Sequence, residues 1–466
     1  MALVRITADQ IPAALSLLAN FGGTERSLDS WQHDRMTALM LSDKSDPIAV
    51  MPIAQRTIDI SPPPHNRHLS VGWLSSNQFA SRMSLRRQTR ETHPDWAGLL
   101  PELDALLVIR RDEPSLAARW YAQTGFHDVL SIRCLYLDMT SPPPPPQAAT
   151  ARYHVQVVTP DTPEFDARRW QSEMLSVYRE VYSAIGGPRL RHETFWQPAL
   201  AHHYYRDHYQ FQIIGLWSGD KGGRGDKVTG ESSCHPFTLS PCHPVTLSNL
   251  MGYAVVGWSG WHSKRPRMDI LELATRQWDT AVASELLHTT CQLAWSKNVR
   301  QVRAVISAHD PYRGHLARSG FVDRWGYLML AKWLNPQRYL NKLSQNLPPE
   351  VADLSLTLTT PGQVPLTLQP HTKSGIPIET AQHADPVTAL MQGKIHIPSN
   401  HPPLHLQADP RTLTRLLLQR LDITTALQDG SLFPTPNQPP LPPHDITRLS
   451  LAFPWTPWIF HMLDYI

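Results

Sequence analysis

Five consecutive prolines, Pro142 to Pro146, divide this chain more firmly than any other feature. A proline lacks the backbone N–H that a helix interior or a central strand needs, and a run of them favours an extended, semi-rigid spacer. The chain must therefore finish one fold before the run and begin another after it. At 466 residues it is too long for one hydrophobic core, and the sizes of ordinary domains allow several. A second boundary falls in Asn335-Pro336 through Leu347-Pro348-Pro349, after which the strand-like run Leu354–Leu358 begins. Residues 1–140, 152–335 and 350–466 are thus expected to be separate domains, with residues 141–151 as the Pro-rich linker.

The hydrophobic period sets the elements within each part. In the first, Ile11–Phe21 and Trp31–Met40 are expected to be helices, with strands at Ala49–Ile60 and His68–Leu74. A helix at Phe79–Thr92, a buried strand at Leu103–Ile109, a helix at Pro114–Thr124 and a strand at Val129–Leu137 complete it. The second part repeats this order. Helices are expected at Phe165–Ser183, Phe195–Tyr204 and Ala281–Trp295, strands at Tyr209–Trp217, Leu250–Trp258, Met268–Ala274 and Val302–Ser307, and a closing strand near Tyr327–Ala331. Helices that cross between neighbouring strands imply mixed α/β sheets covered on both faces.

Residues 218–249 separate two good strands by far more than a hairpin needs. Within them Cys234-His235-Pro236 and Cys242-His243-Pro244 open two copies of one octapeptide, after a Gly-rich, charged lead-in. Adjacent Cys-His pairs at that period match no zinc-ligand spacing, so the segment reads as a low-complexity insert. His202, His203 and His208 read as a polar cluster, and no metal site is expected.

Lys and Arg total 43 against 40 Asp and Glu, so the net charge of +3 gives no field that would favour nucleic acid. No run of eighteen apolar residues suggests a membrane span, and Ala2-Leu3-Val4-Arg5-Ile6 does not look like a secretory leader. Four scattered cysteines do not make a disulfide framework, and the expected compartment is the cytoplasm.

Ala117-Ala118-Arg119-Trp120-Tyr121-Ala122-Gln123-Thr124-Gly125-Phe126 resembles the Tyr-x-x-x-Gly-Phe helix ending of the GNAT superfamily of acetyl-CoA-dependent acetyltransferases. Glycine ends such a helix in a conformation other residues avoid, and the phenylalanine anchors the next strand. The resemblance implies that Tyr121 protonates the departing thiolate; from the residues alone, it serves equally as a packing aromatic on an amphipathic helix. The second part has the same ending at His315–Phe321, with Leu316 at the tyrosine position, and leucine donates no proton.

The tail, with Asp409–Leu418, Leu427–Leu432 and Leu451–Pro454, resembles a sterol-carrier-protein-like domain. The layout of two GNAT-like folds and this tail is similar to the enhanced intracellular survival family. That resemblance implies an N-acetyltransferase acting on primary amines of small molecules or peptides, acetyl-CoA as co-substrate bound by the first domain, the C-terminal carboxylate of Ile466 as base, and a homo-oligomer. Carried onto this chain, the cofactor contacts fall on Val71, Trp73, Ser75, Ser76, Asn77 and Gln78. The glycines that would cradle a pyrophosphate are missing there, and Leu273–Thr280 lacks them too. That loss supports a rival reading, a non-catalytic protein that uses degenerate GNAT folds to bind a ligand or partner; a lipid carrier built on the tail is a third.

Overall fold

The computed structural model describes residues 2–20, 36–43, 46–61, 67–74, 80–81, 95–143, 153–159, 167–182, 185, 196, 210–218, 249–259, 266–370, 402–436 and 438–458. Elements in the first third are β1 (Ala2–Arg5), α1 (Ile11–Asn20), β2 (Met36–Asp43), β3 (Asp46–Ser61), β4 (Arg67–Leu74), β5 (Ala80–Ser81), α2 (Trp96–Leu99), β6 (Ala105–Arg111), α3 (Leu116–Gln123) and β7 (His127–Asp138). The middle third holds β8 (Tyr153–Val158), α4 (Ala167–Tyr182), β9 (Gln210–Ser218), β10 (Leu250–Ser259), β11 (Arg267–Thr275), α5 (Thr280–Ser296), β12 (Gln301–Ser307), α6 (Tyr312–Arg318) and β13 (Val322–Trp333). Behind these come α7 (Pro336–Gln345), β14 (Leu356–Thr359), β15 (Leu366–Leu368), β16 (Leu404–Ala408), α8 (Pro410–Leu417), α9 (Ile423–Gln428), β17 (Leu432–Pro434) and α10 (Pro443–Ala452).

Contacts divide the chain into two units, one of Met1–Ile132, Ala184–Leu190 and Gly326–Ile459, the other of Arg133–Ser183, Arg191–Trp325 and Phe460–Ile466. The division falls inside two strands, β7 and β13, and not at the proline run. In the first unit β1, β2, β3 and β4 form antiparallel neighbours, β4 pairs β6 in parallel, and β13 pairs β6 antiparallel through Tyr327–Trp333. The strand that flanks β6 thus comes from more than two hundred residues later in the chain, a distance that no local pattern announces. A separate sheet in the same unit runs β15-β14-β16-β17.

Two helices expected in this unit are corrected. Met36–Met40, expected to end a helix, is strand β2, because Ala38 and Met40 pack with α1 while Leu39 packs in the core on the sheet's other face. A run buried on both faces loses the alternation that marks a strand. Ala80 and Ser81, expected to be helical, form β5 on the early part of β3 at Val50 and Ala49, which β4 does not reach. The rest of both expected helices lies outside the described residues, as does the expected helix Phe195–Tyr204 apart from Trp196.

The second unit places β12, β11, β10, β9 and β8 in order, with β11 parallel to β12 and the others antiparallel. Helix α5 buries Val282, Ala283, Leu286, Leu287, Cys291 and Ala294 against this sheet. Asp269 and Arg303, buried on adjacent β11 and β12, form a two-pronged ion pair at 2.8 and 2.6 Å. That geometry satisfies both charges where neither reaches water.

Candidate active site

Helix α3 starts where Ser115 accepts a hydrogen bond from the Ala118 amide and ends at Gly125, whose φ of +84° suits glycine. The Phe126 amide returns to the Tyr121 carbonyl at 2.9 Å, closing the helix over its own last turn. Lys332 on β13 donates to the Thr124 carbonyl at 2.5 Å, so a cation sits at the negative end of the helix. Burial lowers the Lys332 pKa, and proximity to the helix end favours its charged form.

Tyr121 lies in the core of the first unit, ring-edge to Trp120 at 5.0 Å and to Phe126 at 5.2 Å. The cluster that holds it includes Leu74, the end of β4, and Met51 and Ile53 of β3. The helix ending thus brings Tyr121 into one cluster with the strand end ahead of Ser75. Both expectations for this residue, packing aromatic and proton donor, begin from that placement.

Val71 and Trp73 are buried on β4, paired with Arg56 and Ala54 of β3 on one side and with Ala105 and Leu107 of β6 on the other. Between them a side chain on Gly72 would meet the side chains of Leu103, Leu106 and Ile53 at 2.7–2.8 Å, so any other residue there would make those three shift. Pairing with β6 continues to Leu74↔Val108, the last residue of β4. Ser75, Ser76, Asn77, Gln78 and Ile466 lie outside the described residues.

The second unit shows what the same strand pair looks like when opened. Pairing of β11 with β12 stops at Ile270↔Ala304, while β11 continues to Thr275. The gap beyond is occupied by the protein's own groups. The Thr275 amide donates to the Tyr312 hydroxyl at 2.9 Å, and the Thr275 and Tyr312 hydroxyls lie 2.7 Å apart. Trp278 takes a φ of +57°, a strained value for so large a residue, and packs tilted against Tyr312 at 5.2 Å and edge-on to Tyr182 at 5.6 Å.

At the start of α5 the Asp279 carboxylate accepts from the Ala281 and Val282 amides. Those are the donors with which a helix N-terminus would otherwise hold a phosphate. Deeper in, Glu272 accepts from Trp196 at 3.1 Å and from Tyr253 at 2.5 Å, and Tyr182 donates to the Leu273 carbonyl at 2.6 Å. Burial raises the Tyr312 and Tyr182 pKa values and lifts Asp310 to about 7. Leu316, at the position matching Tyr121, is buried in the apolar core.

Sequence reasoning identified Leu316 but missed Tyr312, Trp278 and Asp279. Asp279-Thr280 ahead of an apolar helix is a recognisable N-cap and was a usable signal; nothing local marks Tyr312. Among the described residues no group of three or more His, Cys, Asp or Glu could hold a metal, and no helix is long and apolar enough to cross a membrane.

No protein-family model matches the chain, and no curated protein matches it by sequence. Solved structures do. A conserved protein from Enterococcus faecalis, described as a probable N-acyltransferase, superposes with a TM-score of 0.59 at 10% identity, over 99% of this chain and 98% of that one. A GCN5-related N-acetyltransferase from Anabaena variabilis gives 0.55 at 12% identity, over 98% of each chain. Eis1 from Mycobacterium abscessus gives 0.51 at 10% identity, over 98% of this chain and 99% of that one. At such identities the likeness is one of fold: this chain is built as these proteins are, along nearly its whole length.

Proposed function

We propose, with that shared fold as premise, that the chain is an N-acetyltransferase whose first fold moves an acetyl group from acetyl-CoA to a primary amine by direct attack. The observation that carries this reading is the placement of Tyr121 with Leu74 at the end of β4, on a helix ended by Gly125 and capped by Lys332. The matching position of the second fold holds Leu316, and its strand gap and helix N-terminus are taken up by Tyr312 and Asp279. Transfer therefore falls to the first fold.

In this reading acetyl-CoA lies beyond the end of β4. Because Val71 and Trp73 are engaged on both sides by sheet pairing, they act as buried supports, and the backbone of Ser75, Ser76, Asn77 and Gln78 supplies the cofactor contacts. The amine nitrogen attacks the thioester carbonyl, the acetyl C–N bond forms, and the C–S bond breaks. Tyr121 gives its phenolic proton to the departing thiolate, and the Ile466 carboxylate accepts the proton lost by the amine. The four-stranded sheet and its helices would form the sterol-carrier-protein-like third domain, and the protein would act in the cytoplasm as a homo-oligomer.

Release of free CoA thiol from acetyl-CoA across a panel of primary amines tests the reading. Tyr121→Phe keeps the ring and its packing but removes the proton donor. It is expected to lower turnover on the order of 100-fold with acetyl-CoA affinity nearly unchanged. Unchanged turnover would return Tyr121 to a packing role.

A further inference from the structure

A buried seam in the first unit joins β3, β4 and β7 to the segment after α8 and the end of α10, and it is rich in cationic donors. Arg67, at the start of β4, is 5% exposed, and its Nη1 donates to the Ala452 carbonyl at 2.6 Å. With the Gln419 amide oriented to satisfy its neighbours, its nitrogen donates to the Ile60 carbonyl and its oxygen accepts from the same Arg67 nitrogen at 2.7 Å. The Tyr339 hydroxyl lies beside Gln419, within electrostatic reach of Arg67. Arg420, 6% exposed, donates to the carbonyls of Val129 and Thr456 and lies 5.7 Å from the Trp458 ring centre.

No carboxylate among the described residues pairs with either guanidinium, and the Nε and Nη2 groups of Arg67 are buried without a hydrogen-bond partner. Those two N–H groups form the side-on edge of the guanidinium, the fork that fits two oxygens of a carboxylate or phosphate. A buried guanidinium facing no anion is among the most costly arrangements a fold can carry. Water at that edge would accept hydrogen bonds but leave the charge uncompensated. Burial lowers both arginine pKa values, the sign expected where no counter-charge offsets desolvation.

We propose that the side-on edge of Arg67 binds an oxyanion, the carboxylate or phosphate group of a small molecule, at this seam. The bound group neutralises Arg67 at the start of β4. This site is independent of the acetyl-transfer reading, because neither Tyr121 nor the β4 end takes part in it.

The test is thermal melting of the full chain, dialysed free of oxyanions, titrated with inorganic phosphate and separately with acetate, with chloride at matched ionic strength as control. The expected result is a saturable rise in midpoint with one oxyanion, and that one identifies the group: phosphate for a phosphoryl group, acetate for a carboxylate. Arg67→Met is expected to abolish the rise, whatever its own midpoint in oxyanion-free buffer, since it removes the fork together with the hydrogen bonds to Ala452 and Gln419. A wild-type midpoint indifferent to both oxyanions overturns the proposal, as does an equal rise in Arg67→Met. Should Arg67→Met fail to fold, the wild-type titration together with Arg67→Lys decides: the lysine keeps the charge but loses the fork, so a full response there also overturns it.

Discussion

On the proposed reading, single residues decide which of two similar folds is open to chemistry. A tyrosine at 121 and a leucine at 316 occupy matching places in the last turns of matching helices, and only the first has a proton to give. The closure of the second fold also rests on individual groups, among them the buried Asp310, whose carboxylate accepts from the Tyr312 amide at 2.8 Å. Burial lifts its pKa from the ordinary 3.8 to about 7. Between those values the folded state binds more protons than the unfolded chain, so this group makes stability fall as pH rises, and the fall levels off above about 7. Asp310→Asn keeps the acceptor oxygen and removes the titration. Chemical unfolding at a series of pH values is therefore expected to show a flatter profile for the variant, with its advantage over wild type growing towards neutral pH. Parallel profiles would mean that Asp310 is already ionised in the fold.

Most elements were legible from their own residues. Strand β4, strand β11, helix α3 with its glycine end and helix α5 follow from apolar period and capping chemistry. Met36–Met40 was not legible, because a strand buried on both faces has lost the alternation that distinguishes it from a buried helix. The hairpin of β9 and β10 was legible despite its long insert. Trp217 faces Leu250, and the Ser218 amide donates to the Asn249 carbonyl at 3.0 Å, so the strand ends already meet. Removing residues 220–248 leaves Ser218-Gly219-Asn249, a connection of ordinary hairpin length. The shortened chain is expected to melt within a few degrees of wild type. A large drop in melting temperature would show that the insert is part of the folded core.

At the scale of the whole molecule, the Pro-rich run was expected to separate two self-contained folds, yet the contact division falls inside β7 and β13. In the first unit, residues of β13 complete the sheet beside β6, and Lys332 of that strand caps α3. A sequence pattern reports local period, whereas this pairing joins residues more than two hundred positions apart, so the pairing and the cap were out of its reach. The same limit hid the Arg67 seam, whose members are scattered from residue 60 to residue 458. What the pattern did convey was the mixed α/β character of the chain, and the likeness to these solved structures over nearly its whole length agrees with it. The central claim is that the first fold uses acetyl-CoA, and calorimetric titration of the full chain with acetyl-CoA tests it most directly. The account expects saturable binding at micromolar ligand with one site per chain, since the second fold's gap is filled by Tyr312 and Asp279. No heat of binding at millimolar acetyl-CoA would contradict it.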